Sequence, residues 1–121
     1  MRSNRTPAVY FDDILRAIAL LRAYCAELDL ATFEEQQGKQ DAILYRLLVL
    51  TEAAHRLRED ELALCPGPNW RKIRDLGNVI RHAYDAIDRA TIWEIIHSDL
   101  PPLKEALELT MRKHFPDVPL P

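Results

Sequence analysis

Glycine and cysteine are scarce in this chain, and long hydrophobic runs are missing from it. Only three of the 121 residues are glycine, and no GxGxxG, Walker or GxSxG motif occurs, which excludes the usual nucleotide-binding and hydrolase loops. The two cysteines, Cys25 and Cys65, lack the CxxC spacing of a metal or redox site, so we predict free thiols. No apolar run approaches the roughly 20 residues of a membrane helix and no signal peptide is present, which predicts a cytoplasmic protein.

Charge and histidine spacing narrow the possible kinds of site. The formal net charge of −3 gives no overall attraction to nucleic acid, so a polyanion site has to be a local cluster of cations. Residues 71–81 form such a cluster, with four cations against one acid. The four histidines lie far apart in the chain: His55, His82, His97 and His114. Because none has a second ligand at metal-site spacing, we expect no metal and no cofactor.

Helix-forming residues make up most of the chain. Its apolar fraction of 48% over 121 residues is enough for one compact domain with a core. No stretch alternates apolar and polar residues over the length of a strand. The sequence therefore predicts an all-α, antiparallel bundle of four to five helices. Residues 1–8 and 115–121 are expected to be mobile tails of this single domain.

Apolar residues recur at helical spacing through the first half of the chain. They predict one helix over residues 9–28 and a second over residues 33–57. Thr32 followed by Glu35 has the spacing of a capping box and is the predicted start of the second helix. Gly38 lies inside that helix, where glycine costs about 1 kcal/mol relative to alanine. We therefore expect a bend or break near Gly38.

Capping residues and prolines divide the second half of the chain. Residues 59–64 predict one short turn, which the following Pro-Gly-Pro ends. Asn69 is a good N-cap for a helix over residues 70–84, and Asp88 and Asp99 are predicted to cap a fourth and a fifth helix. The two prolines after Asp99 suit a first helical turn. We expect them to bend one long rod rather than to separate two elements.

The helix over residues 70–84 carries most of the reactive side chains. Arg74, Asn78 and His82 are four residues apart, so they rise along roughly one side of it. A histidine accepts a proton from a hydroxyl and returns one to a leaving oxygen near neutral pH. Arginine offers phosphate a fixed charge and a forked donor, and an amide orients either group. These are the parts needed for metal-free RNA cleavage by a ribose 2′-hydroxyl.

The same spacing is common on solvated helix faces, which leaves a purely structural interpretation open. In that interpretation the cations form surface ion pairs worth under about 1 kcal/mol each. Tyr84 lies two residues after His82, on another face, as a half-buried aromatic at a helix end. Trp70 and Trp93 are predicted to be core residues rather than platforms for nucleobases.

The segment NWRKIRDLGNVIRHAYDAID at residues 69–88, followed by TIWEIIHSDLPPL, resembles the HepT-like toxins of the HEPN superfamily. Upstream, YFDDI at residues 10–14 resembles the opening helix of that family, and QDAI and TEAA resemble its second helix. The resemblance implies an α-helical homodimer that acts as a metal-independent endoribonuclease toxin. It also implies a partner, a small nucleotidyltransferase of the MNT type that serves as the antitoxin.

The resemblance assigns roles to individual residues. His82 corresponds to the catalytic histidine of the family, and Asn78 to the polar residue four positions before it. Tyr84 corresponds to the motif tyrosine, which the antitoxin adenylylates in some members. In the tight form of the signature an arginine stands five residues before the histidine, where this chain has Gly77.

Two arginines are candidates for the missing cation. Arg74 fits the looser spacing of the broad superfamily pattern, and Arg81 presents a guanidinium beside the imidazole. We expect both to contact phosphate, with Arg71 and Lys72 as further RNA contacts. The alternative is that Gly77 marks a catalytically degenerate HEPN dimer, which acts as a protein- or nucleotide-binding module.

Overall fold

The computed structural model describes residues 6–121, and this part of the chain consists of helices and loops without a strand. We number its α-helices in chain order as α1 (Pro7–Cys25), α2 (Leu30–Glu35), α3 (Gln37–Arg56), α4 (Glu59–Leu62), α5 (Trp70–Ala83), α6 (Arg89–Glu94) and α7 (Leu100–His114). A 3-10 turn, Tyr84–Ala86, follows α5, and a π-helical turn, Ile95–Asp99, joins α6 to α7. The all-α class is confirmed.

The long helix α3 lies at the centre of the fold, between α1 on one side and α5 on the other. Its inward residues recur at helical spacing and are almost completely buried: Ile43, Leu44, Leu47 and Leu50. The facing side of α1 is buried in the same way: Phe11, Ile14, Ile18 and Leu21. Full burial of such a side chain stabilises the fold by about 1.5–3 kcal/mol relative to exposure. This two-helix core supports the more exposed α5.

The contacts between α5 and α3 define an antiparallel pair. Arg74, near the start of α5, bonds to carbonyls at the end of α3. Gly77 faces Thr51 in the middle, and Tyr84 reaches Asp41 near the beginning of α3. Residues further along α5 therefore contact residues further back along α3, which means that the two helices run antiparallel, as in a bundle with short connections.

The first helix begins earlier and ends earlier than the predicted 9–28. Pro7 is the first residue of α1, where its fixed φ suits a helical start and its missing amide hydrogen costs nothing. Ala8 is buried in the core. The predicted tail over residues 1–8 is therefore helical from Pro7, and residues 1–5 lie outside the described part of the chain.

The prediction of one helix over residues 33–57 is wrong. Gln36 is extended, with φ −111° and ψ 91°, and it separates α2 from α3. The expected break near Gly38 is confirmed, two residues before the glycine itself, which lies in the first turn of α3. The buried Gln40 side chain explains the break, because its amide donates to the Phe33 and Glu34 carbonyls at 2.9 and 3.0 Å. These carbonyls at the end of α2 need such a partner.

The capping residue of α2 also differs from the prediction. Asp29, not Thr32, is the N-cap: its carboxylate accepts from the Thr32 amide at 2.8 Å, while the Thr32 hydroxyl accepts from the Asp29 amide at 2.9 Å. The two residues therefore satisfy each other's backbone donors. The capping box therefore begins at Asp29, three residues before the predicted Thr32.

The rod formed by α6, the π-helical turn and α7 is continuous, as predicted. Asp88 caps α6 through a bond from the Ala90 amide at 3.3 Å, which confirms its predicted role. The predicted cap by Asp99 is wrong, because Asp99 is helical and its carboxylate accepts from Lys72 Nζ at 3.4 Å instead. Pro101 and the proline after it have no amide hydrogen, and just before them the helix widens so that the Leu100 amide bonds Ile95, five residues back.

Other local predictions hold. Asn69 caps α5 through the Lys72 amide at 3.0 Å, and both cysteines are buried free thiols. Trp70 and Trp93 are partly buried against the core. None of the helices within residues 6–121 is long and apolar enough to cross a membrane.

The segment after α7 lies against the helices. The ring of Phe115 is 6.4 Å from that of Phe11, and Val118 and Leu120 are partly buried against the same core. Residues 115–121, expected as a tail, therefore cover one end of α1.

Candidate functional site

Gly77 determines how closely α5 approaches α3. A Cβ atom at this position would lie 2.6 Å from the Thr51 hydroxyl oxygen and 2.8 Å from its Cβ. Thr51 is completely buried, so it has no room to withdraw. Any larger residue would force the two helices apart. The close packing against Thr51 therefore explains why glycine, rather than the arginine of the family signature, occupies this position. The Cβ atom of an arginine here would overlap Thr51.

The guanidinium of Arg74 is directed at the end of α3. Its Nη2 donates to the Leu57 carbonyl at 2.6 Å and to the Ala54 carbonyl at 3.3 Å, and its Nη1 pairs with Glu59 at 3.1 Å. The Leu57 amide also donates to the Ala54 carbonyl, at 3.3 Å, and the guanidinium adds donors to both carbonyls, so the arginine caps the end of α3. Arg74 thus stabilises the frame that holds α5.

Arg81 has a different environment. Its Nη2 donates to Asn78 Oδ1 at 2.6 Å, and its Nη1 pairs with a carboxylate oxygen of Glu52 on α3. The Arg81 side chain is 34% exposed, so ligands can reach it from solvent. Glu52 was not singled out from the sequence, because no spacing rule connects two residues 29 positions apart.

His82 lies on the exposed side of α5, directly after Arg81. With about 100° per helical residue, Asn78 stands between Arg81 and His82 around the helix, roughly 60° from one and 40° from the other. The ring of His82 forms no hydrogen bond with any residue from 6 to 121. A proton-transfer group, an amide and a guanidinium therefore occupy one accessible turn.

Of the further cations predicted to contact RNA, Arg71 lies on the same side of α5. It is exposed, and seven residues separate it from Asn78, which is close to two full turns. Lys72 lies about 100° away and pairs with Asp99 of the π-helical turn at 3.4 Å. Only Arg71 extends the exposed polar stripe of Asn78 and His82.

Tyr84 attaches the segment after α5 to the start of α3. Its hydroxyl donates to Asp41 Oδ1 at 2.8 Å, and Asp41 also accepts from Gln37 at 2.7 Å. The bond from Tyr84 lowers the pKa of Asp41 below its usual value, and the same bond raises the pKa of Tyr84. Arg89 adds a second attachment by donating to Gln40 at 2.8 Å. This polar cluster follows His82 by only two residues and fixes the end of its helix.

An apolar groove of about 650 Å³ runs between α5 and α7, beside the polar stripe. Its walls include Leu76 and Val79 from α5 and Leu103 and Ala106 from α7. Val79, at the wall of the groove, is 47% exposed and is one of the exposed large hydrophobic residues of the described chain. The site therefore borders an uncovered apolar surface.

The helical bundle and the turn of Asn78, Arg81 and His82 define a class of protein. It is an all-α domain that presents a histidine, an amide and a guanidinium together on one exposed helix. The family model described as ribonuclease HepT-like matches residues 14–110, and the chain belongs to this HepT-like family of HEPN proteins.

Two relatives extend over nearly the whole chain. A probable ribonuclease HepT from Thermococcus cleftensis is 28% identical over 105 residues, which cover 87% of this chain and 96% of the relative. The putative RNase MJ1380 from Methanocaldococcus jannaschii is 24% identical over 107 residues, covering 88% and 98%. No solved structure matches the chain at a significant level.

Proposed function

We propose that this protein is a metal-independent endoribonuclease of the HepT type, the toxin of a toxin–antitoxin pair. The observation that carries the proposal is the exposed turn on which Asn78, Arg81 and His82 lie together. Membership in a family described as ribonuclease HepT-like supports RNA as the substrate. The cleavage is attack by a ribose 2′-hydroxyl on the adjacent phosphorus.

In this reaction His82 transfers a proton at the scissile phosphate. Arg81 supplies the fixed positive charge that stabilises the additional negative charge on phosphorus in the transition state. Asn78 holds that guanidinium in place through its bond at 2.6 Å. Arg74 supports the site indirectly, because its donors are engaged with α3, and Arg71 binds a neighbouring phosphate of the same strand.

The central test is RNA cleavage by the purified protein in the presence of a chelator. His82→Ala is expected to lower the rate by at least about 100-fold, the contribution typical of a general acid or base. His114→Ala is the matched control, because it removes an equally exposed histidine from another helix. Cleavage by the folded His82→Ala protein at the wild-type rate would refute the assignment.

The same assay separates the two arginines. Arg81→Ala is expected to lower cleavage with little change in melting temperature. Arg74→Ala is expected to lower stability by roughly 1–3 kcal/mol, because it removes the side-chain donor of the Leu57 carbonyl at the end of α3. Equal loss of activity from both folded variants would favour joint phosphate contacts instead.

We also propose a homodimer formed through the apolar groove between α5 and α7. The uncovered Val79 supports this, since contiguous exposed apolar surface beside a site is typical of an interface. A twofold arrangement would bring the cationic sides of two α5 helices close together, so that each site takes cations from both chains.

The proposed antitoxin is a nucleotidyltransferase of the MNT type, and Tyr84 is the residue it would modify. Tyr84 as a whole residue is 37% exposed, so an enzyme can approach it once the bond from its hydroxyl to Asp41 opens. The check is mass spectrometry of the toxin after incubation with the partner and ATP. Modification of Tyr84→Phe to the same extent would exclude this site.

A second candidate function is a catalytically degenerate binding module. The observation that favours it is the pairing of Arg81 with Glu52, which neutralises the cation that a phosphate needs. RNA that stays intact with the wild-type protein, together with tight binding of a protein partner, would establish this alternative.

A further inference from the structure

Glu52 is the acidic residue that contacts the proposed active turn. It lies on α3 directly after Thr51, the residue against which Gly77 packs. The close approach of the helices at Gly77 therefore brings Arg81, one turn further along α5, within reach of the Glu52 carboxylate. The carboxylate is 41% exposed, so it faces both the guanidinium and solvent.

Cleavage by a 2′-hydroxyl needs two proton transfers. The attacking hydroxyl has to lose a proton, and the departing 5′ oxygen has to gain one. A single imidazole cannot be acceptor and donor at the same moment. Within the described part of α5, His82 is the only such group beside Arg81, so for two simultaneous transfers the second group comes from another element.

We propose that Glu52 is a second catalytic residue, which accepts the proton of the attacking 2′-hydroxyl while His82 donates a proton to the 5′ oxygen. This inference rests on the proposed ribonuclease function. The 2′ oxygen forms a bond to phosphorus, the bond from phosphorus to the 5′ oxygen breaks, and a 2′,3′-cyclic phosphate remains. One proton moves to Glu52 and one leaves His82, so no co-reactant is needed.

The pairing with Arg81 suits a proton acceptor. The contact holds the Glu52 carboxylate beside the guanidinium that would bind the scissile phosphate. Arginine has five N–H donors, and Arg81 uses one on Asn78 and one on Glu52. The remaining donors are available to a phosphate, which would lie next to the carboxylate.

The space beside Glu52 allows a nucleotide to reach it. A cleft of about 360 Å³ opens there between α1 and α3, a size within the range of small-ligand pockets. Arg81 approaches the carboxylate from α5. The remaining charged and titratable groups around it line the cleft: Tyr10 and Asp13 from α1, and Tyr45 and Arg56 from α3.

The test compares Glu52→Gln with Glu59→Gln. Glu59 pairs with Arg74 at 3.1 Å, so its replacement removes one negative charge from the other arginine pair and serves as a matched control. Initial rates are measured on an RNA oligonucleotide with chelator, from about pH 4 to pH 9, to obtain kcat and KM. Glutamine keeps an oxygen that accepts from Arg81 but does not take up a proton in this range.

The wild-type protein and Glu59→Gln are expected to show a bell-shaped dependence of kcat on pH. Glu52→Gln should lower kcat by at least about 100-fold with a smaller change in KM, and its acidic limb should disappear. Glu52→Asp, which retains a carboxylate, should keep the limb at a reduced rate. Melting curves confirm that each variant is folded.

Two results would overturn the role of Glu52 while leaving the proposed function intact. One is wild-type cleavage that depends on His82 but is unchanged in rate and pH profile in Glu52→Gln. The other is faster cleavage by Glu52→Gln, which would mean that the carboxylate only neutralises Arg81. Absence of cleavage by the wild-type protein, or full cleavage by His82→Ala, would instead refute the ribonuclease function and this inference with it.

Discussion

At the scale of single residues, two arginines of the same helix have different environments because they bond to different partners. Arg74 and Arg81 are seven residues apart on α5. Arg74 caps the end of α3 through backbone carbonyls, whereas Arg81 shares its donors with Asn78 and Glu52 and remains accessible. The environment of each guanidinium, rather than its spacing from His82, separates the structural arginine from the one proposed to bind phosphate.

A prediction at this scale concerns the bond from Tyr84 to Asp41. The stability that this bond gives through the ionised Asp41 carboxylate is fully present above the usual pKa of 3.8. It is lost as the pH falls through the lower pKa of the folded protein. The stability that the bond gives through the protonated Tyr84 hydroxyl is fully present below the usual pKa of 10.0. It is lost as the pH rises through the higher pKa of the folded protein. The stability difference between wild type and Tyr84→Phe should therefore be constant from about pH 5 to pH 9 and shrink at both extremes.

Urea denaturation from about pH 3 to pH 11 measures that difference, so that both extremes are included. Tyr45→Phe is the matched control, because Tyr45 is 59% exposed and its hydroxyl bonds to no residue in the described chain. A stability difference for Tyr84→Phe that does not change with pH would show that the bond to the carboxylate contributes nothing.

At the scale of elements, the contact between α3 and α5 places the candidate site. α5 is amphipathic, with Gly77 and Ile80 buried and its polar residues outside. Its start is fixed by the Asn69 cap and its end by Tyr84 and Arg89. A helix held at both ends and packed tightly in the middle presents its exposed side chains in one fixed register.

We predict that Gly77→Ala destabilises the protein by about 1–3 kcal/mol, because the new methyl group overlaps Thr51. Gly38→Ala is the control: nothing lies within 4 Å of its Cβ position. This variant should be stabilised by up to about 1 kcal/mol through helix propensity. Chemical denaturation of both proteins checks the pair, and equal effects would contradict the packing argument.

Gly77→Arg restores the tight signature of the family and is expected to be destabilised more than Gly77→Ala, without a gain in RNA cleavage. The reason is that the side chain would begin within the contact with Thr51. Increased cleavage by a stable Gly77→Arg protein would mean that α5 can shift to accommodate it.

At the scale of the whole molecule, the apolar groove between α5 and α7 places the site at the edge of a surface suited to a second copy. We predict that Val79→Asp shifts the protein toward monomers, because it puts a charge into this groove. Leu109→Asp is the matched control, since Leu109 is 60% exposed and lies outside the groove. Sedimentation analysis gives the oligomeric state, and dissociation by both variants or by neither would argue against this interface.

The all-α class, the bounds of α5, its Asn69 cap and the family motif around His82 were predictable from the sequence. Each depends on residues within a few positions of one another, so periodicity, capping and motif spacing record them. The break near Gly38 was expected from the glycine, but its position at Gln36 was not, because it involves the buried Gln40 side chain, which donates to the carbonyls at the end of α2.

The sequence by itself therefore determined the all-α class and the position of α5, the helix on which Asn78, Arg81 and His82 lie. Only the tertiary structure decided that Gly77 is required by Thr51, that Arg74 caps α3, and that Glu52 meets Arg81. These contacts join positions about 17 to 29 residues apart. They arise where α3 and α5 pack together, and no local pattern encodes which side chains meet across two helices.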